Sequence, residues 1–180
     1  LVIGGSVPLT GAAAETGLNV NNGYITAATY FNDVRVPADM LVGEENGGWH
    51  AIQANGARNI LLVNLIARNA GTDGMNIGDG ATNVIAVNTV FDSNRRQGVS
   101  VKKVSGLHFK NSIFSNTAGQ NPQAGVDIEG NSPGDSSGDI TFQQSKFLNN
   151  AGAGLMIDQH GSNLNGLLVE ECEFTGTRGI

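Results

Sequence analysis

The sequence predicts an all-β fold, a parallel β-solenoid of about five coils with a short amino-terminal helical cap. Three observations predict it. A strand-like pattern recurs from about residue 56 to the end of the chain. Its apolar positions align from copy to copy. No helical periodicity lies between the copies.

The first half of the repeat reads NILLVNLIARNA, NVIAVNTVFDSN, GLHFKNSIFSNT, DITFQQSKFLNN and GLLVEECEFTGT. The second half reads GMNIG, GVSVK, GVDIE, GLMID and a final GI. One apolar column holds Ile60, Val84, Leu107, Ile140 and Leu167. The next holds Leu62, Ala86, Phe109, Phe142 and Val169, and a third holds Ala67, Phe91, Phe114, Phe147 and Phe174. Successive copies lie 24, 23, 33 and 27 residues apart. A single coil of that length cannot bury its apolar side alone, so stacked coils must share one core.

Between the second and third columns run Leu65, Thr89, Ser112, Ser145 and Cys172, a column of mostly small residues. That placement makes Cys172 a packing residue, and as the single cysteine it excludes an internal disulfide. Asn64, Asn88, Asn111 and Gln144 form an amide column, a ladder that stacked parallel strands support. The longest coil carries its excess in TAGQNPQ and GNSPGDSSG, which flank GVDIE. Long loops on one side of a solenoid commonly build its binding face.

The 180 residues suffice for one domain with a real core, and the 14% of charged residues and 4 prolines are not a disordered composition. A net charge of −6, with no basic run longer than Arg95-Arg96 or Lys102-Lys103, argues against a nucleic-acid partner or an anionic membrane. No apolar run approaches the roughly 18 residues of a membrane span. LVIGGSVPL has no charged n-region, so a signal peptide is expected to be absent or already removed.

Residues 1–50 read as cap and connector, and residues 51–180 as the β-helix domain. Ala14, Leu18, Ile25, Ala28 and Phe31 fall near one helical stripe, so residues 12–31 are expected to cover the open first coil. Pro37 and ENGG make the connector, and WHAIQANG enters the first coil with Trp49 as a packing anchor. The chain stops inside what should be the next strand, so an open carboxy-terminal coil able to self-associate is expected.

Residues 51–180, through NRRQGVSV, PQAGVDIEGNSPGD and their surrounding coils, resemble the right-handed parallel β-helix repeat proteins, many of them pectate-lyase-like. The resemblance implies a right-handed coil and an interaction with polysaccharide. It also implies a lyase-like or epimerase-like reaction on an acidic sugar and, for a natural protein, an extracellular or periplasmic site. IGGSVPLTGAAAETGLNVNNGYITAATYFN is similar to the amino-terminal strand, loop and first helix of branched-chain amino-acid binding proteins. FNDVRVPADMLVGEENGGW is similar to a stretch of acyl-CoA dehydrogenases, but that family's flavin and base segments are missing, so no flavin is expected. Three unrelated resemblances end to end imply a chimeric or generated sequence. The alternative function is then a non-catalytic structural or artificial solenoid with no inherited activity.

GVDIE carries the candidate site. On a strand, Asp127 and Glu129 share one face while Val126 and Ile128 take the other. The outward columns are Asn76, Ser100, Asp127, Met156 and Gly78, Lys102, Glu129, Asp158. Chemistry on a uronate needs a metal or cation at the carboxylate and a base for the adjacent proton. Lys102 is the candidate base and Arg96 the catalytic clamp, with Asp127, Glu129 and Arg95 as substrate-binding residues. Asp127, Glu129 and Asp158 are the candidate ligands for Ca²⁺, a hard cation that takes several oxygens. The competing reading is a solvated wall whose Lys102–Glu129 pair offsets stacked like charge. TDGMN resembles the start of a polygalacturonase motif but has Asn76 where an acid is wanted, which argues against that class. His50, His108 and His160 share no metal-ligand spacing.

Overall fold

The structure, a computed structural model, describes residues 2–4 and 50–179. The expected helical cap at 12–31 and Trp49 lie outside the described residues. After β1 (Val2–Gly4) the chain winds through five coils of three strands each. The first coil is β2 (His50–Asn55), β3 (Arg58–Val63) and β4 (Ile66–Arg68). The second is β5 (Asp73–Gly78), β6 (Ala81–Val87) and β7 (Val90–Asp92). The third is β8 (Gln97–Val101), β9 (Val104–Lys110) and β10 (Ile113–Ser115). The fourth is β11 (Ala124–Glu129), β12 (Ser136–Gln143) and β13 (Lys146–Leu148), and the fifth is β14 (Leu155–Asp158), β15 (Asn163–Glu170) and β16 (Glu173–Thr175).

Like strands stack into three sheets, and every pairing is parallel. Sheet A has the order β1-β3-β6-β9-β12-β15, sheet B β14-β11-β8-β5-β2 and sheet C β16-β13-β10-β7-β4. The register reproduces the aligned columns: Ile60, Val84, Leu107, Ile140 and Leu167 are successive partners, as are Ala67, Phe91, Phe114, Phe147 and Phe174. β1 pairs with β3, so the start of the chain extends sheet A.

The first half of each repeat, which reads as one alternating strand, is two strands meeting at a corner. The amide column is that corner. Asn64, Asn88, Asn111, Gln144 and then Glu171 all have φ between 48° and 54°. Left-handed backbone costs most L-residues about 1–2 kcal/mol, and Asn tolerates it best. Asn88 Nδ2 donates to Asn64 Oδ1 at 3.1 Å, and Asn111 Nδ2 donates to Asn88 Oδ1 at 2.7 Å, which locks successive corners together. Replacing Asn88 by Ala is therefore expected to cost about 2 kcal/mol in urea denaturation, and Asn88→Gly distinctly less.

The glycine at the second position of β5, β8 and β11 is required by close approach. A Cβ on Gly74 would sit 2.7 Å from the carbonyl oxygen of Gly98, and one on Gly125 would sit 2.6 Å from that of Gly154. One on Gly98 would collide with the Gly125 carbonyl.

The core is aromatic in its later coils. Phe114 stacks between Phe91 and Phe147, with centroids at 5.5 and 4.9 Å, and Phe109 stacks on Phe142 at 5.5 Å. The two stacks meet edge to face, as between Phe109 and Phe114 at 5.2 Å. Buried asparagines staple the corner after sheet C. Asn150 Oδ1 accepts Thr117 N–H at 3.1 Å while its Nδ2 donates to Phe114 C=O at 3.0 Å, and Asn94 repeats the arrangement on Ala70 and Ala67. Cys172 is half-buried in the small column, with its Sγ 3.4 Å from the Phe142 carbonyl oxygen.

Candidate functional site: a buried carboxyl on sheet B

β8, β11 and β14 bring the GVDIE carboxylates together with groups from the neighbouring coils. In the register, Asn76, Ser100, Asp127 and Met156 are successive partners, and Glu129 lies against Asp158. The first predicted column therefore exists, as does the Glu129–Asp158 step of the second. Their environment is not that of a solvated wall. Asp127 is only 3% exposed, and β5, β8 and nearly all of β11 are buried on both faces.

Asp127 accepts a hydrogen bond from Gln97 Nε2 at 2.5 Å through Oδ2. Its Oδ1 has no partner, and neither does the adjacent Gln97 Oε1. Burial pushes the Asp127 carboxyl up to about 7, reinforced by the charges of Glu129 and Asp158. Arg96 and the Gln97 hydrogen bond pull the other way without prevailing. A protonated carboxyl relieves the mismatch. Its O–H can donate to Gln97 Oε1 once the amide is turned over, which fills one orphaned acceptor.

Glu129 is held from two sides. Ser100 Oγ donates to its Oε1 at 2.8 Å, and Lys102 Nζ lies 3.4 Å from the same oxygen. Lys102 and Glu129 stay partly open to solvent, with 27% and 17% of their side chains exposed. Arg96 reaches back one coil to Asp73, its Nε 2.8 Å from Oδ1 and its NH2 group 2.6 Å from Oδ2. Those hydrogen bonds raise the Arg96 pKa further, with Glu129 and Asp127 adding their attraction. Asp158 pairs with His160 Nε2 at 3.0 Å.

Of the residues named from the sequence, Lys102, Glu129, Asp127, Asp158 and Arg96 fall in one electrostatically coupled group. Arg95 does not join it. It is exposed and lies against the loop at Gly119, and no ion pair forms between it and the described carboxylates. Among the described residues, no group of three or more His, Cys, Asp or Glu side chains is arranged to hold a metal ion. Glu129 and Asp158 are turned to Lys102 and His160 instead. Sequence reasoning missed Gln97, whose register partner is Ala124 and whose reach to Asp127 is diagonal. Ser100 was visible as the partner of Asp127 in its column, but its bond to Glu129 was not.

The fold defines the class of protein: an all-β parallel solenoid of five coils. No family model and no solved structure matches the chain. Over 38 residues, 20% of its length, it is 63% identical to an acyl-CoA dehydrogenase of Mycobacterium tuberculosis. The chain spans about a tenth of that protein (10%), so the likeness is local.

Proposed function

We propose that the chain is a right-handed parallel β-helix that interacts with acidic polysaccharide, with Asp127 as its proton-exchanging group. One observation carries this reading: a carboxyl 3% exposed, with one oxygen unpartnered, in the field of Arg96 and of Glu129, which is itself paired with the partly open Lys102. A carboxyl poised near neutrality serves as a base or an acid at working pH. Lys102 is a paired ammonium without a free lone pair, so it suits the sugar carboxylate better than the proton. The C–H proton next to the uronate carboxylate then passes to Asp127 by way of the partly open Glu129 carboxylate beside it. The electron pair left behind either expels the glycosidic oxygen at the next carbon, which leaves as a hydroxyl with a proton from water, a lyase outcome, or takes a proton from water on the opposite face, an epimerase outcome. No step is routed through a metal, and Ca²⁺ enters as one arm of the test.

A second reading has its own support. The local match to an acyl-CoA dehydrogenase, on a solenoid no family model matches, favours a chimeric structural solenoid without inherited activity.

Thermal unfolding with oligogalacturonate, with Ca²⁺ and with both separates the two readings. Ligand bound to the native state raises the midpoint by mass action. The polysaccharide reading expects a rise with the oligosaccharide that Lys102→Gln abolishes. An unchanged midpoint in every arm, with no unsaturated or epimerised product by NMR, supports the structural reading.

A further inference from the structure

A second concave site lies on a different sheet from Asp127. β6, β9 and β12 carry an open groove of about 420 Å³ on the outer face of sheet A. Its lining includes Ile85, Val87, Gly106, His108, Lys110 and Asp139. The register puts Ile85 beside His108 and Val87 beside Lys110. Gly106, the third residue of β9 and left-handed in φ, lines the groove with no side chain, beside Asp139. From the Gly106 row to the Lys110 row is four residues of strand, roughly 13 Å between backbones.

Among the described residues, the lysines divide by partner. Lys102, Lys103 and Lys146 are each paired with a carboxylate, at 3.4, 3.8 and 2.9 Å. Lys110 is the one lysine with no such partner among the described residues. It is exposed, stands two positions from His108 on the same face, and borders an aliphatic floor where Ile85 is 38% exposed. In a chain with net charge −6, an uncompensated ammonium at the end of an apolar groove is a ready partner for a carboxylate. At the other end, the exposed Asp139 carboxylate accepts hydroxyl donors.

We propose that this groove binds a small hydroxylated carboxylate, of which a uronic acid is the sugar form. Its carboxylate meets Lys110 and His108, its ring lies over Ile85 and Val87, and a hydroxyl donates to Asp139. The site stands independently of the Asp127 centre and needs no chemistry there.

The test is ¹H–¹⁵N NMR of the full chain titrated with galacturonate, galactose and acetate in turn. Galacturonate is expected to give saturable shifts at Ile85, His108 and Lys110. Lys110→Gln is expected to weaken binding about tenfold, the worth of one charge-assisted hydrogen bond. Asp127→Asn is expected to leave the shifts at Ile85, His108 and Lys110 unchanged, so failure here is separable from failure at sheet B. The proposal is overturned by the absence of saturable shifts, by a Lys110→Gln variant that binds as the parent does, or by acetate or galactose binding as tightly as galacturonate.

Discussion

Asp127→Asn is expected to make the protein more stable than the parent above pH 7, and to remove much of the parent's loss of stability between pH 4 and 7. In the unfolded chain this carboxyl titrates near its ordinary value of 3.8, whereas in the folded protein burial pushes it up to about 7. Between those values the folded state holds a proton that the unfolded state has released. Stability therefore falls as pH rises through this window. The contribution is fully present below about 3.8, is lost by the time pH passes about 7, and is flat above. Each unit of difference is worth about 1.4 kcal/mol, so the whole effect is on the order of a few kcal/mol. An asparagine keeps the acceptor for Gln97 Nε2 and carries no charge to desolvate. Urea denaturation of parent and variant across pH 4 to 9 checks this. Parallel stability curves would mean that Asp127 keeps an ordinary carboxyl pKa.

Phe114→Ala is expected to cost about 3–5 kcal/mol, the range for a fully buried aromatic cut back to a methyl. Phe114 is 0% exposed. It stacks on Phe91 and Phe147 and meets Phe109 and Phe142 edge to face at 5.2 and 5.9 Å. Its removal opens a hole in the third of five coils, where the neighbours are held by the register of three sheets and cannot collapse inward. Phe174→Ala should cost much less, because that ring is half-buried in the last coil and stacks on Phe147 alone at 4.4 Å. The denaturation midpoint measures both, with the slope against denaturant unchanged if the compactness of the end states is kept. Equal losses at the two positions would contradict a core shared by stacked coils.

The inward columns were legible in the sequence because stacking repeats them. Ile60, Val84, Leu107, Ile140 and Leu167 announce one another by spacing, and parallel pairing turns that spacing into contact. The corners were half legible. The amide column stood out, but its left-handed backbone is what divides one apparent strand into two. The site was legible as a placement of Asp127, Glu129, Lys102 and Asp158 on one face. Burial was not, because alternation says which way a side chain points and nothing about what covers it. So a column that reads as outward holds a carboxyl 3% exposed. The reach of Gln97 to Asp127 crosses the register diagonally, and no spacing rule encodes such a contact.

The central claim is that Asp127 holds its proton close to neutral pH in the folded protein. Carbon-13 NMR of the aspartate side-chain carboxyls, with Asp127→Asn to assign the resonance, measures it directly. The account predicts a midpoint of about 7 for Asp127. A midpoint near 4 would contradict it and leave Asp127 an ordinary ionised carboxylate, with no proton to exchange at working pH.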